Sequence, residues 1–279
     1  MAKIALLFSG LPRQWQHCFE SQHRLFRDNP TDVFFHFWDT IDDAEKSRIV
    51  EAYRPTAHQF ENPVDFTAQE SQITILDRIN TPARVLSQYY SWRAVARLFE
   101  AHCAQTGDRY DFAVRIRADL LFTCALDKVL PAIQPNQIFL SNLNNFGMIN
   151  DTFALGPVAP IMYFLSIYDD IMEYTKTIQF NPEMLLLEHI RRRPDIKLLS
   201  APFPFLIFRP HMVGRPINEC MKENPGWNKW EDPEILRDHL AGSARTGAQR
   251  LAMVQSFIGD RLKDLQRQRQ QPPPAGGLT

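Results

Sequence analysis

The chain has 279 residues, of which 44% are hydrophobic and 23% are charged, so it is long enough for one large domain or two small ones with a substantial core. Lysine and arginine total 31 against 32 acidic residues, and the resulting net charge of -1 excludes a global basic field for nucleic acid or an anionic membrane. Any anion-binding site must therefore be local, and no nucleic-acid partner is expected.

The cysteines and the apolar runs indicate the compartment. The four cysteines are far apart and form no C-x-x-C pair, so neither a zinc framework nor a disulfide scaffold is indicated. The apolar run at residues 4–8 is too short for a signal peptide, and no apolar stretch reaches the roughly 18 residues of a membrane span. We therefore expect a cytoplasmic protein without a transmembrane segment.

Strand-length hydrophobic runs alternate with helix-period segments, which is the pattern of an α/β fold. Residues 62–86 are polar and weakly patterned and are interpreted as a long loop with one short helix. The predicted strands are 4–8, 33–38, 58–61, 112–117, 138–140, 152–155, 196–199 and 205–208. The predicted helices are 14–27, 42–52, 87–106, 158–175, 182–192 and 244–265. We predict a mixed, mostly parallel central sheet flanked by helices.

The C-terminal part differs in composition from the rest. Residues 216–269 are predicted as a helical extension, in which 244–265 have one apolar face. That face indicates a helix packed on the body, and contact with a membrane surface or a second copy is the alternative. Residues 270–279 contain three consecutive prolines and two glycines and are predicted to be disordered.

The segment 110–122 carries the most informative pattern. Because side chains alternate in a strand, Arg115, Arg117 and Asp119 share one face near its carboxyl end, the edge at which open α/β sheets bind ligands. Arginine matches phosphate oxygens, and a carboxylate beside it can hold a divalent cation that bridges two phosphates. An internal salt-bridge network between these side chains is the alternative.

The turn after the first predicted strand supplies further candidates. Ser9, Gly10 and Arg13 lie between a strand and a helix, and Gly10 would let a ligand approach the backbone closely. Alone, this is an ordinary turn with an exposed arginine. Together with the arginines of the later strand, it indicates a site for a diphosphate and a nucleoside.

Two acidic residues are candidates for a catalytic role. Asp151 comes at the entry to a strand, where it could bind a sugar hydroxyl or cap a turn. Glu183 follows Pro182 in the first turn of a helix, where it is either a helix-end residue or a general base that deprotonates an attacking hydroxyl.

Other candidates carry weaker signals. His36 is interpreted as a core histidine, whereas Asp39, just past the second strand, is a candidate to contact a base or ribose. His211 could complete a metal site. The aromatic residues near 90 are interpreted mainly as core, with Tyr90 as the candidate to stack on a nucleobase. The common dinucleotide, P-loop, zinc-protease and serine-hydrolase motifs are absent.

Five sequence blocks, taken together, resemble a known family. They are FSGLPR at 8–13, DVFFHFWD at 32–39, SQYYSW at 87–92, RIRAD at 115–119 and NDTFALG at 150–156. Over residues 3–210 they resemble the glycosyltransferase-like proteins of bacterial and viral polysaccharide clusters. The resemblance implies a GT-A-like catalytic domain at 1–215, with a nucleoside-diphosphate sugar donor bound by 1–122 and a carbohydrate acceptor bound by 123–215.

The resemblance also implies roles for individual residues. The segment 115–119 stands where typical members carry Asp-x-Asp with Mn or Mg, so the resemblance implies that Asp119 is a metal ligand. It also implies that Glu183 occupies a position like that of the acidic base in these enzymes. One departure is that Arg117-Ala118-Asp119 offers a single carboxylate, so arginine could neutralise the leaving diphosphate without a cation. We expect an inverting glycosyltransferase of polysaccharide biosynthesis. Peripheral contact with the inner membrane through the C-terminal helix is the alternative to a purely cytoplasmic location. A non-catalytic nucleotide- or carbohydrate-binding relative is the alternative.

Overall fold

The computed structural model of the protein describes residues 1–74, 80–141, 149–201, 203, 205–222, 245, 246 and 249. These residues form an α/β fold with a main sheet of eight strands and a second sheet of two. In chain order the strands are β1 Ile4–Gly10, β2 Thr31–Trp38, β3 Ala57–Glu61, β4 Phe112–Ile116, β5 Leu120–Phe122, β6 Gln137–Ser141, β7 Ala154–Pro157, β8 Lys197–Ala201, β9 Phe205–Ile207 and β10 Arg245–Thr246.

The main sheet has the order β10-β8-β6-β7-β4-β1-β2-β3. Strand β7 is antiparallel to both β4 and β6, β10 is antiparallel to β8, and the other pairs are parallel. The predicted mixed, mostly parallel sheet is therefore confirmed. The chain adds β2 and β3 on one side of β1 and then returns to place β4 on the other side, which creates a topological switch point at the carboxyl ends of β1 and β4.

Helices cover both faces of the main sheet. They are α1 Trp15–His23, α2 Asp43–Tyr53, α3 Thr67–Glu70, α4 Pro82–Thr106, α5 Val158–Leu165, α6 Ile167–Tyr174, α7 Pro182–Arg191 and α8 Ile217–Lys222. One hydrophobic core joins the α4 to α7 side to the sheet, with Trp92 and Phe164 stacked at its centre. The other core contains α1, α2 and the small β5-β9 sheet, with Phe8 packed edge-on against Tyr53. Among the described helices, none combines the length and the hydrophobicity that a membrane span needs.

Local sequence explains where several helices begin and end. Asp42 caps α2 because its side chain accepts a hydrogen bond from the Glu45 N–H at 2.7 Å. Helix α4 begins at Pro82, whose fixed φ suits the first helical position, and it is followed by Gly107 at φ +76°. The predicted stop at Gly107 is confirmed. The predicted start at residue 87 is wrong, because Pro82 extends the helix by more than one turn.

Three other boundary predictions need correction. The predicted helix 158–175 is two helices, α5 and α6, which meet at Ser166. The strand predicted at 205–208 is β9, which pairs with β5 in the separate small sheet rather than in the main sheet. Residues 245 and 246 form β10 instead of the start of a helix. Nearly all of the predicted C-terminal helix, and all of 270–279, lie outside the described residues.

The buried His189 predicts how stability depends on pH. Its Nε2 lies 2.7 Å from the carbonyl oxygen of Tyr163, and its Nδ1 lies 2.8 Å from the hydroxyl of Tyr174. Burial lowers the pKa of His189 from 6.5 to about 4, although the Tyr163 carbonyl favours the charged ring. Between these values the unfolded chain binds more protons than the folded chain. The free energy of unfolding should therefore fall by about 3 kcal/mol as the pH drops through this range.

Urea unfolding at several pH values between about 7 and about 4 measures this effect. His189→Gln keeps a donor and an acceptor but cannot take up a proton, so its unfolding free energy should depend less on pH. An equal pH dependence in both proteins would contradict the assignment.

Candidate functional site

A cleft of about 200 Å³ lies at the switch point, where β1 and β4 end. We call it the arginine cleft. It is lined by Ser9, Gly10, Leu11, Arg13, Trp38, Arg84, Ser87, Gln88, Trp92, Arg115, Arg117 and Asp119. Six residues that the sequence indicated as ligand contacts are thus brought together: Ser9, Gly10, Arg13, Arg115, Arg117 and Asp119.

The β1 turn forms one wall of the arginine cleft. Gly10 has φ +103°, a left-handed conformation that suits glycine, and its N–H donates to the Oγ of Ser91 at 2.7 Å. The chain then turns towards α1, and the exposed Arg13 reaches the cleft from this loop. The turn therefore places a backbone segment and an exposed cation at the same edge as β4.

Arg115 has an unusual environment for a charged side chain. It is 2% exposed, and its guanidinium carbon lies 4.4 Å from the centre of the Trp92 ring. Its Nε and Nη1 have no hydrogen-bond partner within the described part of the chain. Burial lowers the pKa of Arg115 to about 9, while the negative charge of Asp151 opposes this shift. A buried cation whose Nε and Nη1 lack hydrogen bonds in the described residues is costly, which indicates a functional reason for its presence.

Arg117 differs from Arg115 because it is fully paired. Its Nε and Nη2 donate to the two carboxylate oxygens of Asp119 at 2.8 and 2.6 Å. The Nη1 of Arg209 lies 3.6 Å from the same carboxylate. Burial lowers the pKa of Arg117, but the charge of Asp119 outweighs burial, and the net shift is upward. The salt-bridge alternative considered from the sequence therefore describes Arg117 and Asp119 but not Arg115.

Two more buried polar groups in the arginine cleft lack hydrogen-bond partners. They are the Oγ of Ser9 and the Nε1 of Trp92, whose partners are absent among the described residues. Both residues are buried. Together with Arg115, these residues line one small cavity. Since buried donors in native proteins are nearly always satisfied, the set indicates a ligand rich in acceptor oxygens.

Sequence reasoning missed two arginines of this region. Arg84 lines the arginine cleft from the first turn of α4, inside the segment interpreted as a loop, and Pro82 was the signal that could have found it. Arg209 lines an adjoining cavity of about 640 Å³ that shares Leu11, Arg13 and Asp119 with the cleft. Burial lowers the pKa of Arg209, and the positive charges of the neighbouring arginines lower it further, whereas Asp119 raises it. Five arginines and one carboxylate, Asp119, therefore line the two cavities.

The two predicted catalytic acids lie behind the arginine cleft rather than in its wall. Asp151 accepts a hydrogen bond at 2.7 Å from Gln88, which itself lines the cleft. Glu183 lies in the first turn of α7, where its N–H donates to Asn181 at 3.0 Å. Burial raises the pKa of the Tyr89 hydroxyl well above its usual range, and the charges of Asp151 and Glu183 add to this, so both acids lie near Tyr89.

Three predicted contacts lie outside the arginine cleft. The Tyr90 hydroxyl donates to Glu61 at 2.8 Å, and its ring stacks on Trp38, so it lies on the far side of that tryptophan. Asp39 is ion-paired with Lys46 at 2.7 Å. His211 is exposed on a short 3-10 turn, Pro210–Met212, and lines neither the cleft nor the adjoining cavity. Asp39, Tyr90 and His211 therefore do not line these two cavities, and their roles as ligand contacts stay predictions.

No family model matches the chain, and no curated protein matches it. The site must therefore be interpreted from its own chemistry.

The predicted divalent metal does not fit this geometry well. Both carboxylate oxygens of Asp119 accept hydrogen bonds from Arg117, and the described residues contain no group of three or more His, Cys, Asp or Glu side chains that could hold a metal ion. The positive charge of the arginines around Asp119 also opposes the binding of a divalent metal ion there. A site for Mn or Mg at Asp119 and His211 stays a prediction, and the arginines satisfy the same electrostatic requirement.

This disagreement gives a testable expectation for metal removal. EDTA should leave the affinity of the protein for UDP unchanged within about twofold, because we expect guanidinium groups rather than a metal ion to contact the phosphates. Calorimetry with and without Mn or Mg checks this expectation. A large enhancement by metal that Asp119→Asn abolishes would instead establish Asp119 as a metal ligand.

Arg13 offers a mild test of the arginine cleft. It is exposed, so Arg13→Ala should not affect folding, but it should weaken UDP binding by on the order of 1.5 to 3 kcal/mol through loss of a charge-assisted hydrogen bond. Arg24→Ala is the matched control, since Arg24 is also exposed but lies outside the arginine cleft. Equal UDP affinity of both variants would remove Arg13 from the site.

Proposed function

We propose that the arginine cleft binds the diphosphate of a nucleoside-diphosphate sugar, and that the protein transfers this sugar to a carbohydrate hydroxyl in glycan or polysaccharide biosynthesis. The observation that carries the proposal is the buried Arg115, whose Nε and Nη1 have no hydrogen-bond partner in the described residues. A diphosphate would supply acceptor oxygens for these two groups and negative charge for the arginines around them.

The charge and position of the site support this ligand class. The five arginines that line the two cavities outnumber the acidic groups near them, Asp119 and Asp151, and match a multiply charged anion better than a neutral ligand. The cleft lies at the switch point of the sheet, where open α/β folds bind ligands. The adjoining cavity of about 640 Å³ leaves room beside Arg13 for the groups attached to the diphosphate.

We also propose that the sheet has the GT-A arrangement. A mostly parallel sheet with one antiparallel strand, β7, beside the arginine-bearing strand β4 is compatible with the GT-A arrangement that the sequence blocks imply. In this arrangement residues 1–122 bind the donor and 123–215 bind the acceptor. The cleft residues Ser9 to Asp119 all belong to the first of these halves.

In the proposed reaction, the acceptor oxygen attacks the anomeric carbon of the donor sugar. The bond from that carbon to the diphosphate oxygen breaks, and its electron pair leaves with the diphosphate. Arg13, Arg115 and Arg117 stabilise this charge, with Arg117 able to shift from Asp119 to a phosphate oxygen. Glu183 takes the acceptor proton, and a single displacement inverts the anomeric carbon. Asp151 is the second candidate for the base.

One observation favours the competing class of a non-catalytic binding protein. Neither Asp151 nor Glu183 is among the described residues that line the arginine cleft. A protein that kept the anion site and lost catalysis would show this arrangement. Fold alone does not separate the two classes.

Release of nucleoside diphosphate from a panel of nucleotide sugars tests the proposed function. We expect turnover of at least one donor, a loss of turnover in Arg115→Met and normal turnover in Arg24→Ala. Tight diphosphate binding without turnover of any donor, with a carbohydrate acceptor mixture present, would assign the protein to the binding class. Absence of both binding and turnover would overturn the proposal.

A further inference from the structure

A second cleft of about 320 Å³ lies on another face of α4, between β3, α4 and α6. Its volume is in the range of small-molecule sites. The residues that matter for its chemistry are Gln59, Glu61, Tyr90, Arg93, Arg97 and Tyr168. The proposed transfer reaction makes no use of this second cleft.

Carboxylates outnumber arginines at the second cleft, in contrast to the arginine cleft. Arg93 Nε lies 2.7 Å from Asp169, and Arg97 Nη2 lies 3.2 Å from the same carboxylate. Arg93 Nη1 is also 3.2 Å from Glu100. Because Asp169 and Glu100 pair with the two guanidiniums and Glu61 adds another carboxylate, this cleft does not select a strong anion. It favours a neutral ligand that can both donate and accept hydrogen bonds.

The lining of the second cleft suits the hydroxyls and ring faces of a sugar. The Nε–H of Arg93 is buried against Asp169 at 2.7 Å, whereas the exposed Arg97 supplies N–H donors to the cleft. Glu61 supplies an acceptor, and Gln59 supplies both kinds of group. Tyr90 and Tyr168 pack edge to face at 5.3 Å and provide apolar ring surface.

A buried chain of hydrogen bonds joins the second cleft to the β1 turn. Glu61 contacts the Nε2 of His36 at 2.6 Å, and the Nδ1 of His36 contacts the Oγ of Ser91 at 2.8 Å. The same Oγ accepts the N–H of Gly10 at 2.7 Å. His36 and Ser91 are fully buried, so the chain is shielded from water.

A second contact runs parallel to this chain. Tyr90 lines the second cleft and stacks on Trp38, which lines the arginine cleft, with ring centres 5.5 Å apart. Tyr90 also donates to Glu61 at 2.8 Å, so the two connections share one acidic group. A ligand that orders Glu61 and Tyr90 therefore acts on both Gly10 and Trp38.

We propose that the second cleft binds a neutral saccharide unit and that its occupancy strengthens ligand binding in the arginine cleft through Glu61, His36 and Ser91. The saccharide site rests on the second cleft alone, whereas the coupling also rests on the proposed diphosphate function. A saccharide that fixes the side chains of Glu61 and Tyr90 lowers the conformational entropy that is lost when a ligand binds the arginine cleft. The second ligand then binds more tightly, which is positive coupling.

Saccharide binding is tested by calorimetry and saturation-transfer NMR with glucose, galactose, N-acetylglucosamine and lactose at up to about 20 mM. At least one probe should bind, and Arg97→Ala and Tyr168→Ala should each weaken it about tenfold. Arg24→Ala is the matched control, because the side chains of Arg24 and Arg97 are 67% and 63% exposed and Arg24 does not line the second cleft. Failure of all four probes, or equal binding by Arg97→Ala and Arg24→Ala, would overturn the site.

Coupling is tested by measuring UDP affinity with and without the saccharide that binds. The saccharide should tighten UDP binding about fivefold, and by reciprocity UDP should tighten saccharide binding equally. Ser91→Ala should keep saccharide binding but lose the mutual effect, since Ser91 lies outside the second cleft. Saccharide binding with no effect on UDP affinity would refute the coupling. Saccharide binding without any UDP binding would refute the proposed function and leave the saccharide site established.

Discussion

Arg115→Met is expected to raise the free energy of unfolding by on the order of 1 kcal/mol while it weakens UDP binding by at least about 3 kcal/mol. Stability should rise because the substitution removes a buried cation that has no hydrogen bonds from its Nε and Nη1. Methionine has a similar shape and keeps a favourable contact with the Trp92 ring. Binding should fall because two charge-assisted hydrogen bonds to the ligand are lost.

Arg117→Met provides the matched control for this prediction. Arg117 lies on the same segment, but its guanidinium pairs with the buried Asp119, which the substitution would leave without its main partner. We expect Arg117→Met to lower the free energy of unfolding by about 2 kcal/mol. Urea unfolding and UDP calorimetry on both variants measure the two effects. Strong destabilisation by Arg115→Met would show that Arg115 is structural and would remove the main support for the cleft as a ligand site.

Glu183→Gln is expected to lower the rate of sugar transfer by about 10² to 10⁴ while leaving UDP affinity within about twofold. The amide keeps the shape of the side chain and cannot accept the acceptor proton. The Asn181 cap uses the backbone N–H of Glu183, so helix α7 should remain intact.

Glu188→Gln is the control for Glu183→Gln, because Glu188 is on the same helix but is ion-paired with Arg191 and Arg192. It should leave transfer unchanged. Full turnover by Glu183→Gln would make Glu183 a helix-end residue and would move the test to Asp151. A loss of UDP affinity in Glu183→Gln would instead indicate a role in donor binding.

The sequence predicted the cleft best where the argument used strand geometry. Alternation in β4 puts Val114 and Ile116 in one core and Arg115 on the opposite face against Trp92, as expected. The position of Ser9 and Gly10 beside β4 followed from the rule that parallel strands end at a common edge. Alternation depends only on local geometry, and the common-edge rule needs only that both strands are parallel in one sheet.

Predictions that depended on which face of a helix points towards the sheet edge were less successful. Arg84, Gln88 and Trp92 follow helical spacing on one face of α4 and line the arginine cleft, whereas Tyr90 and Arg97 lie on another face and line the second cleft. The periodicity groups these residues but does not say which group faces the end of β1. That choice is made by the packing of α4 against the sheet, which no local pattern contains.

The ion pairs were also beyond a local interpretation. Asp39 was a candidate ligand contact because it follows β2, but Lys46, one turn into α2, neutralises it. Arg209 contacts Asp119 because β9 pairs with β5, a pairing between segments that are distant in sequence. Charge partners of this kind depend on tertiary contacts, so strand and helix patterns alone do not predict them.

The most direct test of the central claim is calorimetry that compares each nucleoside with its diphosphate, starting with uridine and UDP. If Arg115 and its neighbours contact phosphate, the diphosphate of at least one base should bind at least about a hundredfold more tightly than the nucleoside, and Arg115→Met should reduce this difference by about a hundredfold. Equal affinity of nucleoside and diphosphate for every base would contradict the assignment of the arginine cleft as a diphosphate site.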